Sequence, residues 1–167
     1  MGCGACSIFR LYNFFGVAVA RYVPTHLLNE PHVVVDGSAT PSTVLTLSHW
    51  PGSASPEAFR ADLSASMAFK ALHELEAGRF ELPSEVITNN HYDEDGLVSV
   101  FALVHPQEAL AMEAMLLDIA SAGDFGVFRD RDAARVSFVL NAWACPALSP
   151  LNNNVFKKGS ERVRHQH

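Results

Sequence analysis

Apolar positions along this chain switch between a period near two and a period near 3.6, and the switches place the elements. His32 to Asp36 (HVVVD) is a β-branched run closed by the turn signal Asp36-Gly37-Ser38, which predicts a strand. Thr43 to His49 (TVLTLSH) predicts a second, ended at Trp50-Pro51-Gly52 because proline cannot donate to a sheet ladder. Pro56, with Ser55 as cap, then predicts a helix running to about Ala77. Its apolar stripe includes Phe59, Leu63, Met67, Phe69, Leu72 and Leu75, and Gly78 stops it.

Glu85 to Thr88 (EVIT) reads as a third strand. After Gly96 the residues Leu97, Val98, Val100, Phe101, Leu103 and Val104 are apolar nearly all round, which predicts a short buried helix. Pro106 opens a further helix carrying Leu110, Met112, Met115, Leu116 and Ile119 and closed by Gly123. Asp130 or Asp132 caps a last one through Val136, Val139 and Leu140. Strands interleaved with helices imply an α/β fold with a small, mainly parallel sheet of about three strands and about four helices. So small a sheet for so many helices predicts an incomplete domain.

The two ends read differently from the middle. Residues 1–20 form an apolar lead-in; within it the segment 8–20 is interrupted by Arg10 and too short to span a bilayer. Met1-Gly2-Cys3 raises myristoylation, but Cys6 stands where that pattern needs Ser or Thr. Residues 21–148 form a single α/β domain. Residues 149–167 lack periodicity, carry Lys157, Lys158, Arg162 and Arg164, and read as a solvated basic tail.

Composition narrows the functional classes. The chain is 49% hydrophobic and 18% charged, an ordinary globular balance, and its 167 residues suffice for a real core. Its net charge is −6, and the folded part shows no basic stripe, so no nucleic-acid partner is expected. The pair Cys3-Gly4-Ala5-Cys6 lacks both the strand-and-helix setting of a redox motif and the further soft ligands of a zinc site. Cytoplasmic residence with no membrane span is the expectation; no feature addresses the oligomeric state.

Chemistry concentrates in Asn89-Asn90-His91-Tyr92-Asp93-Glu94-Asp95-Gly96. If this run is extended as it leaves the third strand, residues two apart share a side, and His91, Asp93 and Asp95 converge where open α/β sheets bind ligands. One imidazole and two carboxylates suit Mn²⁺, Mg²⁺, Fe²⁺ or Zn²⁺ rather than a soft metal, and Mn²⁺ or Mg²⁺ is the cofactor expected. An EF-hand is excluded, because His91 stands where its first Asp belongs and Ala102 where its last Glu belongs. Asp36 and His49, each at a strand end, are the candidates to complete the metal shell, and Asp124, after Gly123, can also reach it. Ser38, Arg131 and Arg135 are candidates to bind an anionic substrate, with Arg129 beside them. The competing reading is a capping loop without an ion, since Asp favours helix N-termini on its own account.

The run HYDEDGLVS resembles the first metal motif of the DHH phosphoesterase superfamily, HxDxDGxxS. That resemblance implies His91, Asp93 and Asp95 as ligands of a two-Mn²⁺ centre cleaving phosphodiester or phosphoanhydride bonds. The superfamily's Asp-His-His signature is matched only by Ser48-His49-Trp50, which precedes the first motif instead of following it. Across residues 21–150, the segments VVVDGS, LTLSHWPG, DLSASMAF, NNHYDEDGLVSVFAL and FRDRDAARVS are similar to the N-terminal part of an uncharacterised family of bacterial hypothetical proteins. Members of that family continue further, which implies a chain shorter than its relatives. The leading expectation is a metal-dependent hydrolase of a small anionic substrate. The alternatives are a non-catalytic binding or structural protein, or an inactive short form of a larger enzyme.

Overall fold

A computed structural model describes residues 20–145 and 147–150; nearly all of the lead-in and of the tail lies outside the described residues. Four strands form one all-parallel sheet in the order β1-β4-β2-β3: β1 (Arg21–Tyr22), β2 (His32–Val35), β3 (Thr43–Leu47) and β4 (Val86–Thr88). The α/β class holds, and the sheet gains an edge strand at Arg21–Tyr22 that two residues of sequence cannot announce. Parallel sheets are covered on their faces, so their strands are uniformly apolar. Every residue of β2 and β4 is buried accordingly.

The helices are α1 (Ser64–Glu76), α2 (Glu94–Val104), α3 (Pro106–Ala111), α4 (Glu113–Phe125) and α5 (Arg131–Ala144). Val33, Val35, Leu47 and Ile87 share one face of the sheet and join Phe69 and Leu72 of α1, Val98 and Leu103 of α2, and Ile119 of α4 in the core. Ala65, Ala68, Ala71 and Ala102 are buried between helices, where only a methyl group keeps the backbones close. Among the described residues no helix is long and apolar enough to cross a membrane.

Four helix boundaries differ from expectation, one of them being that Gly123 does not close its helix, which runs on to Phe125 and ends at the left-handed Gly126. The helix predicted from Pro56 is a single 3₁₀ turn, Glu57–Phe59, followed by extended residues, and α1 starts only at Ser64. Ser55 is taken up by β3 instead: its Oγ accepts from Ser48 N and donates to Ser48 O, each at 2.9 Å. The helix predicted from Pro106 breaks at Met112 into α3 and α4, which makes five α-helices among the described residues. The helix predicted from Leu97 begins one turn earlier, at Glu94, with Asp93 as its cap. That last shift alters the geometry of the site.

Candidate metal centre

Side by side, β4, β2 and β3 run out in the same direction, and each hands over a polar residue beyond its last ladder position: His91, Asp36 and His49. This is the carboxyl edge where parallel sheets leave a crevice for ligands. Asp36 is central and 1% exposed. Its φ of 43° is left-handed, a conformation that costs most side chains free energy and that Asp tolerates better than most. Ser64 Oγ donates to Asp36 Oδ1 at 2.8 Å, tying the strand end to the first residue of α1.

One cluster comprises Asp36, His91 and Asp93, each offering a ligand atom within 4.8 Å of the others. His91 Nδ1–H donates to Asn90 Oδ1 at 3.0 Å, which leaves Nε2 as the free face of a neutral ring. That nitrogen lies 2.5 Å from Asp93 Oδ2 and 3.1 Å from Asp36 Oδ2. A neutral Nε2 would confront two carboxylate oxygens with its lone pair, so either a proton or a cation must sit there. Without a metal it is a proton. Burial works to lower the His91 pKa, but the Asp36 and Asp93 carboxylates outweigh it and raise the value to about 10. Burial likewise works to raise Asp93, and the His91 charge overrides it and holds that carboxyl below its usual range. The single Nε2–H points at Asp93, so Asp36 Oδ2, fully buried, receives no hydrogen bond.

A second cluster shares Asp36 and adds His49 and Asp95. His49 Nδ1–H donates to the Asp62 carbonyl at 2.7 Å, so its Nε2 also faces the site with a lone pair when neutral. The acidic atoms stand further off than around His91: Asp36 Oδ1 is 3.9 Å and Asp124 Oδ2 3.7 Å from His49 Nε2, and Asp95 Oδ2 is 3.5 Å from Nδ1. Burial, then the charge of Asp36, pushes Asp95 up to about 7, against two backbone hydrogen bonds that lower it. Asp124 is raised to about 6, first by burial and then by Asp93 and Asp36. It also sits in the last turn of α4, the end of a helix that disfavours negative charge.

Helix starts brace the centre. Asp93 Oδ1 accepts from Gly96 N at 2.8 Å and caps α2. Asp95 accepts from Ser64 N at 2.8 Å and Ala65 N at 2.7 Å, so it caps α1 across the core, where Leu63 offers no side-chain acceptor. Gly96 is needed for close approach: a Cβ there would collide with the Asn89 amide and crowd Asp93 and Asp36. A Cβ on Gly123 would strike Glu94, whose carboxylate accepts from Ser137 Oγ at 2.8 Å and from Asn141 Nδ2. That contact seats α4 closely enough for Asp124 to join.

The five sequence-predicted ligands, Asp36, His49, His91, Asp93 and Asp95, are therefore brought together, but not by alternation along one extended run. His91 lies in a loop, Asp93 is a cap, and Asp95 is already helical and aimed at α1. Ser38, Arg131 and Arg135 do not join them. Ser38 is exposed in the return loop between β2 and β3, and Arg131 and Arg135 are exposed on α5, where Arg135 pairs with Asp132 at 2.6 Å. Asn90, Ser64 and Trp50 were missed as site residues. Trp50 packs its ring 5.0 Å from that of His91, and the Asn-Asn-His run was the one available hint of the orienting amide.

By fold and site the molecule is a parallel α/β protein with paired His–carboxylate clusters at the strand ends. The chain belongs to DUF6687, a family of unknown function, which it matches over residues 18–165. The likeness to an uncharacterised family thus holds, and the match takes in much of the basic tail as well. No curated protein and no solved structure matches the chain, and none of the comparisons links it to the DHH phosphoesterases.

Proposed function

We propose that this protein is a divalent-cation-dependent hydrolase of a small phosphate-type anion, with Mn²⁺ or Mg²⁺ as its cofactor. The observation that carries the reading is Asp36 Oδ2, a buried carboxylate oxygen without a hydrogen bond, faced by a histidine whose other nitrogen is already committed. His91, Asp93 and Asp36 would hold one ion; Asp36, His49 and Asp95, with Asp124 beside them, would hold a second. Imidazole and carboxylate donors without sulfur favour hard or borderline ions. Such ions neutralise charge on a transferring phosphoryl group and acidify water at neutral pH. The chain's own contribution is orientation. Asn90 and the Asp62 carbonyl fix the two imidazoles, and Ser64 holds the shared carboxylate.

A second reading has its own observation. Both oxygens of Asp95 already accept from α1 amides, and Asp93 caps α2, so the cluster also serves as a strand–helix junction with no ion. Metal content separates the two readings. Wild type and Asp36→Asn, equilibrated with Mn²⁺ and desalted, are compared by elemental analysis, with circular dichroism confirming that both are folded. The hydrolase reading expects Mn²⁺ in wild type, loss of at least 90% of it in the variant, and Mn²⁺-dependent release of phosphate from 4-nitrophenyl phosphate. Equal metal in the two proteins leaves the junction reading standing.

A further inference from the structure

The α2 helix has two apolar flanks. Val98, Ala102 and Leu103 are buried in the core, whereas Leu97, Val100, Phe101 and Val104, at helical spacing, line a cleft of about 340 Å³. Tyr22 and Tyr92 help to line it, and His91 and Asp93 of the close cluster do so too. A chain that gains by burying apolar area leaves Leu97 38% and Tyr22 41% exposed here, beside its densest charge.

Polar groups in the cleft are largely committed elsewhere. The Asn89 amide donates to His91 O at 2.5 Å and the Tyr92 hydroxyl to Leu140 O at 3.2 Å. Reading a sugar or a nucleobase takes several convergent donors and acceptors, and this cleft instead offers apolar area and flat rings. Phe101 and His105 stack with centroids 5.2 Å apart and 27° between planes, which extends the flat surface outward. The cleft beside His49 is lined differently, with Ser48, Ser53 and Arg60. Cleft size sets the occupant's scale: 340 Å³ is near the lower end of small-molecule pockets, roughly 300–1,000 Å³, and too small for a two-chain lipid.

Resting on the cation-centre reading, we infer that the substrate is a soluble phosphate ester of an aryl or short alkyl alcohol, its apolar body along α2 and its anionic group at His91 and Asp93. The probe pair is 1-naphthylmethylphosphonate against methylphosphonate, which share the headgroup and have no phosphate-ester bond to cleave. Both are titrated calorimetrically into the full, Mn²⁺-equilibrated chain. The naphthyl compound is expected to bind at least tenfold tighter. Leu97→Gln and Leu97→Trp, one removing apolar area and one filling the cleft from its exposed rim, should each cut that advantage below threefold while Mn²⁺ content and methylphosphonate affinity stay put. Equal affinities for a wild type that holds Mn²⁺ overturn this inference alone, and would be the outcome if residues 1–19 or a second copy of the chain filled the cleft. A naphthyl advantage that survives both substitutions also overturns it. A wild type that takes up no Mn²⁺ overturns the cation reading and this inference together.

Discussion

The two clusters that share Asp36 solve the same electrostatic problem in opposite ways. Around His91 the carboxylates close in to 2.5 and 3.1 Å, and the imidazole keeps its own proton as the counter-ion. Around His49 the nearest carboxylate oxygens stand 3.5 to 3.9 Å away, and two of the acids are pushed towards neutrality instead. The close cluster is satisfied by a proton that a cation would have to displace. In the open one, burial and mutual repulsion push Asp95 and Asp124 towards their protonated forms. A cation thus meets a different competitor at each end of one shared residue.

The largest disturbance should come from Gly96→Ala, which drives a methyl group into Asn89 and towards Asp93 and Asp36. Overpacking of this kind costs about 1–3 kcal/mol, so urea unfolding should show a loss near the upper end of that range. The close cluster should lose its cation with it. An unchanged unfolding midpoint would mean that the tight packing around Gly96 is not what positions the cluster.

Changing pH separates the clusters next. A cation entering the close cluster expels the His91 proton, so its apparent affinity should climb roughly tenfold per pH unit from about 7 towards 10. Affinity at the open cluster should level off once Asp124 and Asp95 are ionised, just above pH 7. Without a cation the stability trend runs the other way. His91 has a folded pKa above its unfolded one, so its contribution is complete below about 6.5 and fades as pH rises through about 10. Asp95 and Asp124 are raised too; what their protonated forms contribute is complete below about 3.8 and lost as pH passes through about 6 to 7. Thermal midpoints with and without Mn²⁺ should therefore diverge as pH increases from 5.5 to 8.5. Parallel curves would contradict proton–cation competition.

The smallest effect isolates the open cluster. Asp124→Asn removes a carboxylate that is disfavoured by burial and by its helix end, and should stabilise the metal-free protein by about 1 kcal/mol at pH 7. The same change should weaken the second cation about tenfold and leave the first unaffected. Stability measured by denaturant and stoichiometry measured by calorimetry check the two halves of that expectation.

Much of this was legible in sequence because β-branched runs such as HVVVD and TVLTLSH read as strands, and strand ends are where parallel sheets gather chemistry. Asp36, His49 and His91 follow from that rule alone. Asp93 and Asp95 join the clusters by a route other than the expected alternation. Alternation places them on one extended side, whereas Asp93 starts a helix and Asp95 reaches across the core to cap another. The amide acceptor that α1 needs is supplied thirty residues away, a tertiary fact no local pattern carries. The same absence of a local cap explains why the helix predicted from Pro56 begins only at Ser64. Asp124 depends on the fit of Gly123 against Glu94, again a contact between distant segments. Arg135 was a candidate for an anion because its charge is visible in sequence, and it pairs with Asp132 instead.

Electron paramagnetic resonance of the protein titrated with Mn²⁺ tests the sharing of Asp36 most directly. A common carboxylate should bring two ions close enough for an exchange-coupled signal that appears at the second equivalent and vanishes in Asp36→Asn. Two independent six-line spectra, or a coupled signal untouched by that substitution, would contradict the account.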